Sequence, residues 1–264
     1  MKKGIKIIII FLVSFLFTQC HYDFFLSFSP SNVLKNQNFS WSVDSSRHVK
    51  YYYPPNSLAA KDIEKLKDIT EKGISRILIL MHEDDYQERI QYFIVESREK
   101  MKELINAETN GAANWKYNGA YNVYGDSIKS GGPHEFNHII ASNMWGVGKI
   151  TRWVSEGFAG YADNKWHKYD LHSLCKYLLD KQKLLPIEKL DTRFSEYNDL
   201  VTYPESASFV KYLYETYGWE KFKQLWQEGS ENIMSIYGKS LSELEKEWIE
   251  EINKSNSSDI DYKL

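Results

Sequence analysis

The sequence predicts an α+β fold, with strands and helices interleaved up to about residue 130 and helices alone beyond it. Three observations carry this. Short apolar runs bounded by Gly, Pro, Asn or Ser recur before residue 125, at strand length. After Pro133 the apolar residues repeat at helical spacing instead. The composition, 42% hydrophobic and 15% aromatic in 264 residues, supplies a packed core and excludes disorder as the main content.

The chain begins with a positive cluster, Lys2, Lys3 and Lys6, and an apolar run from Ile7 to Phe17 broken only by Ser14. The run is shorter than the ~20 residues of a membrane span. Residues 1–20 therefore predict a secretory signal. The run ends in "FTQC", which resembles a bacterial lipoprotein signal with Cys20 as the lipidated residue. Gln19 stands where that signal usually has a small residue, and an uncleaved anchor is the alternative. Either reading places the rest of the chain outside the cytoplasm, held to a membrane of the bacterial cell envelope by lipid or anchor. Residues 21–45, with the polar stretch "FSPSNVLKNQNFS" (28–40), predict a tether, and residues 46–254 the folded domain.

Within that domain "HVKYYYP" (48–54) predicts a strand ending at Pro54. A helix follows, with Ser57 as N-cap, Leu58, Ile63, Leu66 and Ile69 as its apolar stripe, and Gly73 as its stop. "RILILMH" (76–82) and "QYFIVES" (91–97) predict strands, "REKMKELIN" (98–106) a helix, "ETNGAANWKYNG" (108–119) a loop, and "AYNVYG" (120–125) a strand. Beyond Pro133, a residue suited to the first turn, helices are predicted over 134–145, 149–164, 169–183 and 203–218. Two more follow, over 219–229 after a break at Gly218 and over 240–253, the last with a Ser240/Glu243 capping box. Residues 255–264 predict a flexible tail. Cys175 falls in the 169–183 helix as a buried, inert thiol without a disulfide partner. The net charge of -3 offers no basic surface, so nucleic acid is not an expected partner. A monomer is expected.

The chemistry lies in "HEFNH", His134 to His138. On a helix, residues four apart lie on one face, so both imidazoles can point at one Zn²⁺. Glu135 sits beside the first histidine, in reach of a water there, as a general base requires. Chance placement predicts only ~0.015 such motifs in a chain like this. A pair of surface histidines is the bland alternative. A catalytic zinc site usually takes three protein ligands. Glu156, in "WVSEGFA", supplies a carboxylate after a turn through Gly146 and Gly148, and Trp153, Val154, Phe158 and Ala159 crowd the sequence around it.

"HEFNH" followed by "WVSEGFA" resembles the gluzincin metallopeptidases, the peptidase-MA-like group that includes thermolysin and the aminopeptidase-N-like enzymes. The resemblance extends through "YPESASFVKYLYETYGWEKFKQL" and covers roughly residues 74–252. It implies a zincin-like fold: a small mixed N-terminal sheet whose edge strand lines a cleft, an active-site helix, and a helical C-terminal lobe. "GAYNVY" (119–124) is the expected edge strand. It implies His134, His138 and Glu156 as ligands of one zinc ion, Glu135 as general base, and a Tyr or His donor to the oxyanion. Tyr203 is the expected donor, with Tyr161, Tyr197 and His172 as alternatives. Gly160 occupies the position of an aspartate that orients a zinc histidine in thermolysin-like enzymes, and Asp163 is expected to replace it. "GAYN" (119–122) lacks the glutamate with which the aminopeptidases hold a substrate amine. The implied activity is hydrolysis of peptide bonds in a peptide or protein substrate, with endopeptidase or carboxypeptidase action both open. Two rivals stand beside it. One is a non-catalytic tethered lipoprotein whose zincin fold binds a peptide or protein partner. The other is zinc hydrolysis of a non-peptide amide.

Overall fold

The computed structural model of the chain describes Phe25 and residues 27–129 and 133–264. The residues divide into two compact units, 1–67 with 88–131 and 68–87 with 132–264. Cys20 and the signal-like residues 1–20 lie outside the described residues.

The first unit is built on a mixed five-stranded sheet. In chain order it holds α1 (Pro30–Val33), β1 (Ser42–Ser45), β2 (Val49–Tyr53) and α2 (Leu58–Lys61). α3 (Ile63–Met81) follows, and the division between the units falls within it, after Lys67. β3 (Ile90–Val95), α4 (Arg98–Ile105), β4 (Gly111–Asn114) and β5 (Gly119–Val123) complete the unit. The sheet order is β1-β2-β3-β5-β4, with β2, β3 and β5 parallel and the two outer strands antiparallel to their neighbours. At matching registers of the three parallel strands, Tyr52, Phe93 and Tyr121 stack with ring centroids 4.6 and 5.3 Å apart, so one aromatic ladder ties the strands together.

Several expectations are corrected here. β5 is not an edge strand: all five of its residues are buried, the mark of an interior strand, and β4 covers it. β4 itself arises from the stretch expected as a loop. Its Gly-Ala-Ala-Asn sequence has no strand propensity of its own, and its ladder to β5 decides its conformation. Residues 28–40, expected as a tether, place Phe28 and Val33 in the core with Tyr52, Phe93 and Tyr121, and Asn114 donates to the carbonyls of Phe25 and Phe28.

The second unit is helical apart from a short β6–β7 hairpin (Lys165–Trp166 and Tyr169–Asp170). It holds α5 (His134–Met144), α6 (Arg152–Asp163), α7 (Leu171–Asp180), α8 (Ile187–Arg193), α9 (Asp199–Tyr217), α10 (Trp219–Glu228), α11 (Ile233–Tyr237) and α12 (Leu241–Ile252), together with the end of α3. Trp145, Phe158, Phe222 and Trp226 form its aromatic core, with Trp145 stacked on Phe158 at 5.3 Å. The Ser240/Glu243 capping box opens α12 as expected, and Cys175 is a free, buried thiol.

α3 passes through Gly73 rather than stopping there, and residues 76–81 are helix rather than strand. The buried positions Leu66, Thr70, Ile74, Ile77 and Met81 repeat every three or four residues, so one helical stripe runs across the glycine. A Cβ on Gly73 would sit 2.6 Å from Cβ of Pro133, so the missing side chain lets α3 approach the residue that precedes the histidine helix. α9 begins at Asp199, one turn before the expected start at Tyr203, because Asn198 caps it by accepting from the Leu200 amide at 2.9 Å. The closing segment, expected to be loose, has Tyr262 buried: its hydroxyl accepts from Trp166 Nε1 at 2.7 Å and donates to the Leu200 carbonyl at 2.9 Å. No helix among the described residues is long and apolar enough to cross a membrane.

Candidate metal centre

His134 and His138 stand one turn apart at the start of α5, and their Nε2 atoms lie 3.2 Å apart. The chain then turns at Gly146 and Gly148, both with positive φ, and re-enters helix at Arg152. This hairpin brings Glu156 of α6 back to the pair. Its Oε2 lies 3.1 Å from His134 Nε2 and 3.3 Å from His138 Nε2. The three atoms form a nearly equilateral triangle, and this group alone among the described residues brings three metal-binding side chains together in that way.

The triangle can be tested against zinc. A tetrahedral ion with ligands at ~2.0–2.1 Å separates any two of them by ~3.3–3.4 Å. The observed 3.1–3.3 Å edges fit one face of that tetrahedron. Two imidazoles and a carboxylate also form a donor set typical of catalytic zinc, with one position left open. Trp153, Val154, Phe158 and Ala159 do not enclose Glu156. They turn into the core, while Glu156 stays partly accessible and takes its partners from the histidines and Arg152.

The charges around the triangle favour a cation. Burial pulls the His134 imidazole down, but its hydrogen bond to Glu156 and the charges of Glu135, Glu156 and Asp163 outweigh this and push it up to about 9. Burial acts upward on Glu156, and the two histidines still hold its carboxyl far below the ordinary carboxylate range. Surroundings that hold a proton so firmly on His134 would hold a metal ion in its place. Glu135 follows His134 on α5 and is raised by burial and by Glu156, with the histidines pulling the other way. A carboxylate raised in this manner is a better proton acceptor than a free one.

Supporting contacts come partly from unexpected residues. Ser155 Oγ lies 3.1 Å from His138 Nδ1 and can fix that ring so that Nε2 faces the triangle. Asp163 is close to His134, but its Oδ2 is 3.8 Å from Nδ1, beyond hydrogen-bond reach. Burial raises the Asp163 carboxyl to about 6 against the pull of His134. Gly160 has a packing reason to lack a side chain: a Cβ there would lie 2.7 Å from Cβ of Ala207 on α9.

Tyr203 lies in the second turn of α9, with its ring centroid 6.3 Å from that of His134 and Phe194 and Trp166 on its other sides. Its phenol is raised to about 12, first by burial and then by the charge of Glu156, although Arg152 lowers it, so it keeps its proton at neutral pH. The alternatives are engaged elsewhere. Tyr161 donates to Glu215 at 3.0 Å, His172 Nδ1 meets Ser208 Oγ at 2.7 Å, and Tyr197 lies under the Lys189 ammonium. Sequence reading passed over Arg152 and Ser155. Arg152 had a signal in its spacing, four residues before Glu156 on one helix face.

The family model described as the peptidase MA superfamily matches residues 90–254. Among solved structures, the chain is similar to yeast LTA4 hydrolase in complex with bestatin, with 14% identity and a TM-score of 0.38. The similarity covers 82% of this chain but only 38% of that one. No curated protein matches the sequence.

Proposed function

This chain belongs to the peptidase MA superfamily, and on that premise we propose that it is an exported zinc metallopeptidase that hydrolyses peptide bonds. The observation that supports this most is the His134–His138–Glu156 triangle, with edges of 3.1–3.3 Å and with Glu135, the residue after His134, coupled to all three by charge. Zinc held there would supply Lewis-acid polarisation of the scissile carbonyl and a lowered pKa for water. Glu135 takes the proton from the attacking water and delivers it to the leaving amine. Tyr203 donates to the oxyanion that develops as water adds to the carbonyl. Ser155 holds the His138 ring, and the charge of Asp163 favours positive charge at His134. Peptide or protein is the proposed substrate class, and Cys20 the proposed attachment to the membrane. Cleavage of a mixed peptide library, with and without a chelator, tests the reading. Cleavage that stops with chelator and returns with zinc is expected, whereas chelator-insensitive cleavage would sink it.

A further inference from the structure

We propose that Arg152 is a positioning residue that fixes the direction of the Tyr203 hydrogen bond; this rests on the reading of Tyr203 as oxyanion donor. Arg152 opens α6, one turn before Glu156. Its Nη2 lies 3.1 Å from the Tyr203 hydroxyl, its Nη1 2.6 Å from Ser195 Oγ, and its Nε 3.6 Å from Glu156 Oε1. The guanidinium also lies over the Phe194 ring, 5.0 Å from its centroid. One cation is thus held by contacts on several sides and touches both the proposed metal ligand and the proposed donor.

The direction of the bond follows from chemistry. A guanidinium has donors and no acceptor, so the phenol oxygen of Tyr203 must accept from Arg152. The phenol hydrogen is then left for another acceptor. Without Arg152, the hydroxyl would have no fixed donor to set the direction of its hydrogen. Accepting from a cation also polarises the O–H bond and makes it a better donor. The cation does not bind substrate in this scheme. It acts through Tyr203, and this same contact joins α6 to α9.

The test is a double-mutant cycle on zinc-loaded full-length protein, using Arg152→Gln, Tyr203→Phe and both together. Arg152→Gln should lower kcat about 10–100-fold, as expected for one charge-assisted hydrogen bond, with KM and zinc content near wild type. In the Tyr203→Phe background the same change should lower kcat less than about twofold, because its partner is gone. Losses that multiply, or a wild-type kcat in Arg152→Gln, would overturn the proposal. Normal turnover in Tyr203→Phe would remove the oxyanion role of Tyr203 and this proposal with it, while leaving the peptidase reading intact. A second readout needs no activity. In protein labelled with fluorotyrosine, the ¹⁹F resonance missing from Tyr203→Phe identifies Tyr203. Arg152→Gln should shift that resonance, and an unmoved one would overturn the proposal even if no peptide were cleaved.

Discussion

His134, Glu135, His138 and Glu156 were legible as a site because their chemistry is local: a helical spacing of four and a single hairpin return. The contacts of Arg152 with Ser195 and Tyr203 were not, because they depend on how α6, the turn after α8 and α9 pack. At this scale the ligand set can be ranked. Glu156 touches both histidine Nε2 atoms, whereas Asp163 stays 3.8 Å from His134 Nδ1. Glu156→Ala should therefore lose most of its zinc in dialysis against a weak chelator, and Asp163→Ala should retain more. Metal analysis of the dialysed proteins checks this, and equal retention would take Glu156 out of the site. Tyr203→Phe should keep its zinc and its melting temperature, since the ring still packs against Phe194 and Trp166. Loss of one oxyanion donor costs about 2.7–4 kcal/mol, so kcat should fall by roughly two to three orders of magnitude with KM little changed. Steady-state kinetics would expose a purely structural Tyr203 by a normal turnover rate.

Most helices were legible from their stripes and caps, but α3 and β4 show where local reading fails. A glycine and an apolar run looked like a stop and a strand. The long helix becomes visible only when Gly73 is seen as a close approach to Pro133. β4 has no local signal, and β5 supplies its pairing. Two predictions belong to the helices that frame the site. At Gly157 of α6 a Cβ would lie 2.6 Å from the Ser206 carbonyl of α9, where backbone cannot yield cheaply. Alanine gains up to ~1 kcal/mol of helix propensity, but overpacking costs ~1–3 kcal/mol. Gly157→Ala should therefore melt lower than wild type, and a higher melting temperature would contradict this packing. Glu205 of α9 is fully buried, and both its oxygens lie 3.2 Å from the Leu185 amide. Burial raises its carboxyl well above the usual range, the Leu185 amide lowers it in part, and Glu245 adds to the rise. The folded state then holds this proton more tightly than the unfolded chain does. This group's contribution to stability is present in full at acid pH and declines as pH rises through the ordinary carboxylate range toward the raised value. Glu205→Gln, which still accepts from Leu185, should raise the melting temperature at pH 8 and change it little at pH 5. Melts with no such difference would mean that Glu205 carries no buried-charge penalty.

At the scale of the whole molecule, the mixed sheet and the helical lobe were legible as a fold class, and the family match agrees with them. Composition alone misread both ends of the folded domain. The polar stretch 28–40 hides Phe28 and Val33 of the sheet core, and the polar tail hides Tyr262. In each case one or two apolar side chains anchor a segment whose average is hydrophilic. All the proposed site residues, His134, Glu135, His138, Arg152, Glu156, Asp163 and Tyr203, belong to the helical unit. The proposed tether can be tested in cells: a radioactive fatty acid should label the protein, and Cys20→Ser should abolish the label. A protein that remains membrane-bound without label would establish the uncleaved anchor instead. The central claim is that one zinc ion, held by His134, His138 and Glu156, works with Glu135 as base. The most direct measurement is peptide cleavage by wild type and Glu135→Gln, with the zinc content of the same preparations determined alongside. The account predicts one zinc per chain in both and cleavage by the wild type alone. Cleavage by Glu135→Gln at the wild-type rate, or a zinc-loaded wild type that binds peptides and cleaves none, would contradict it.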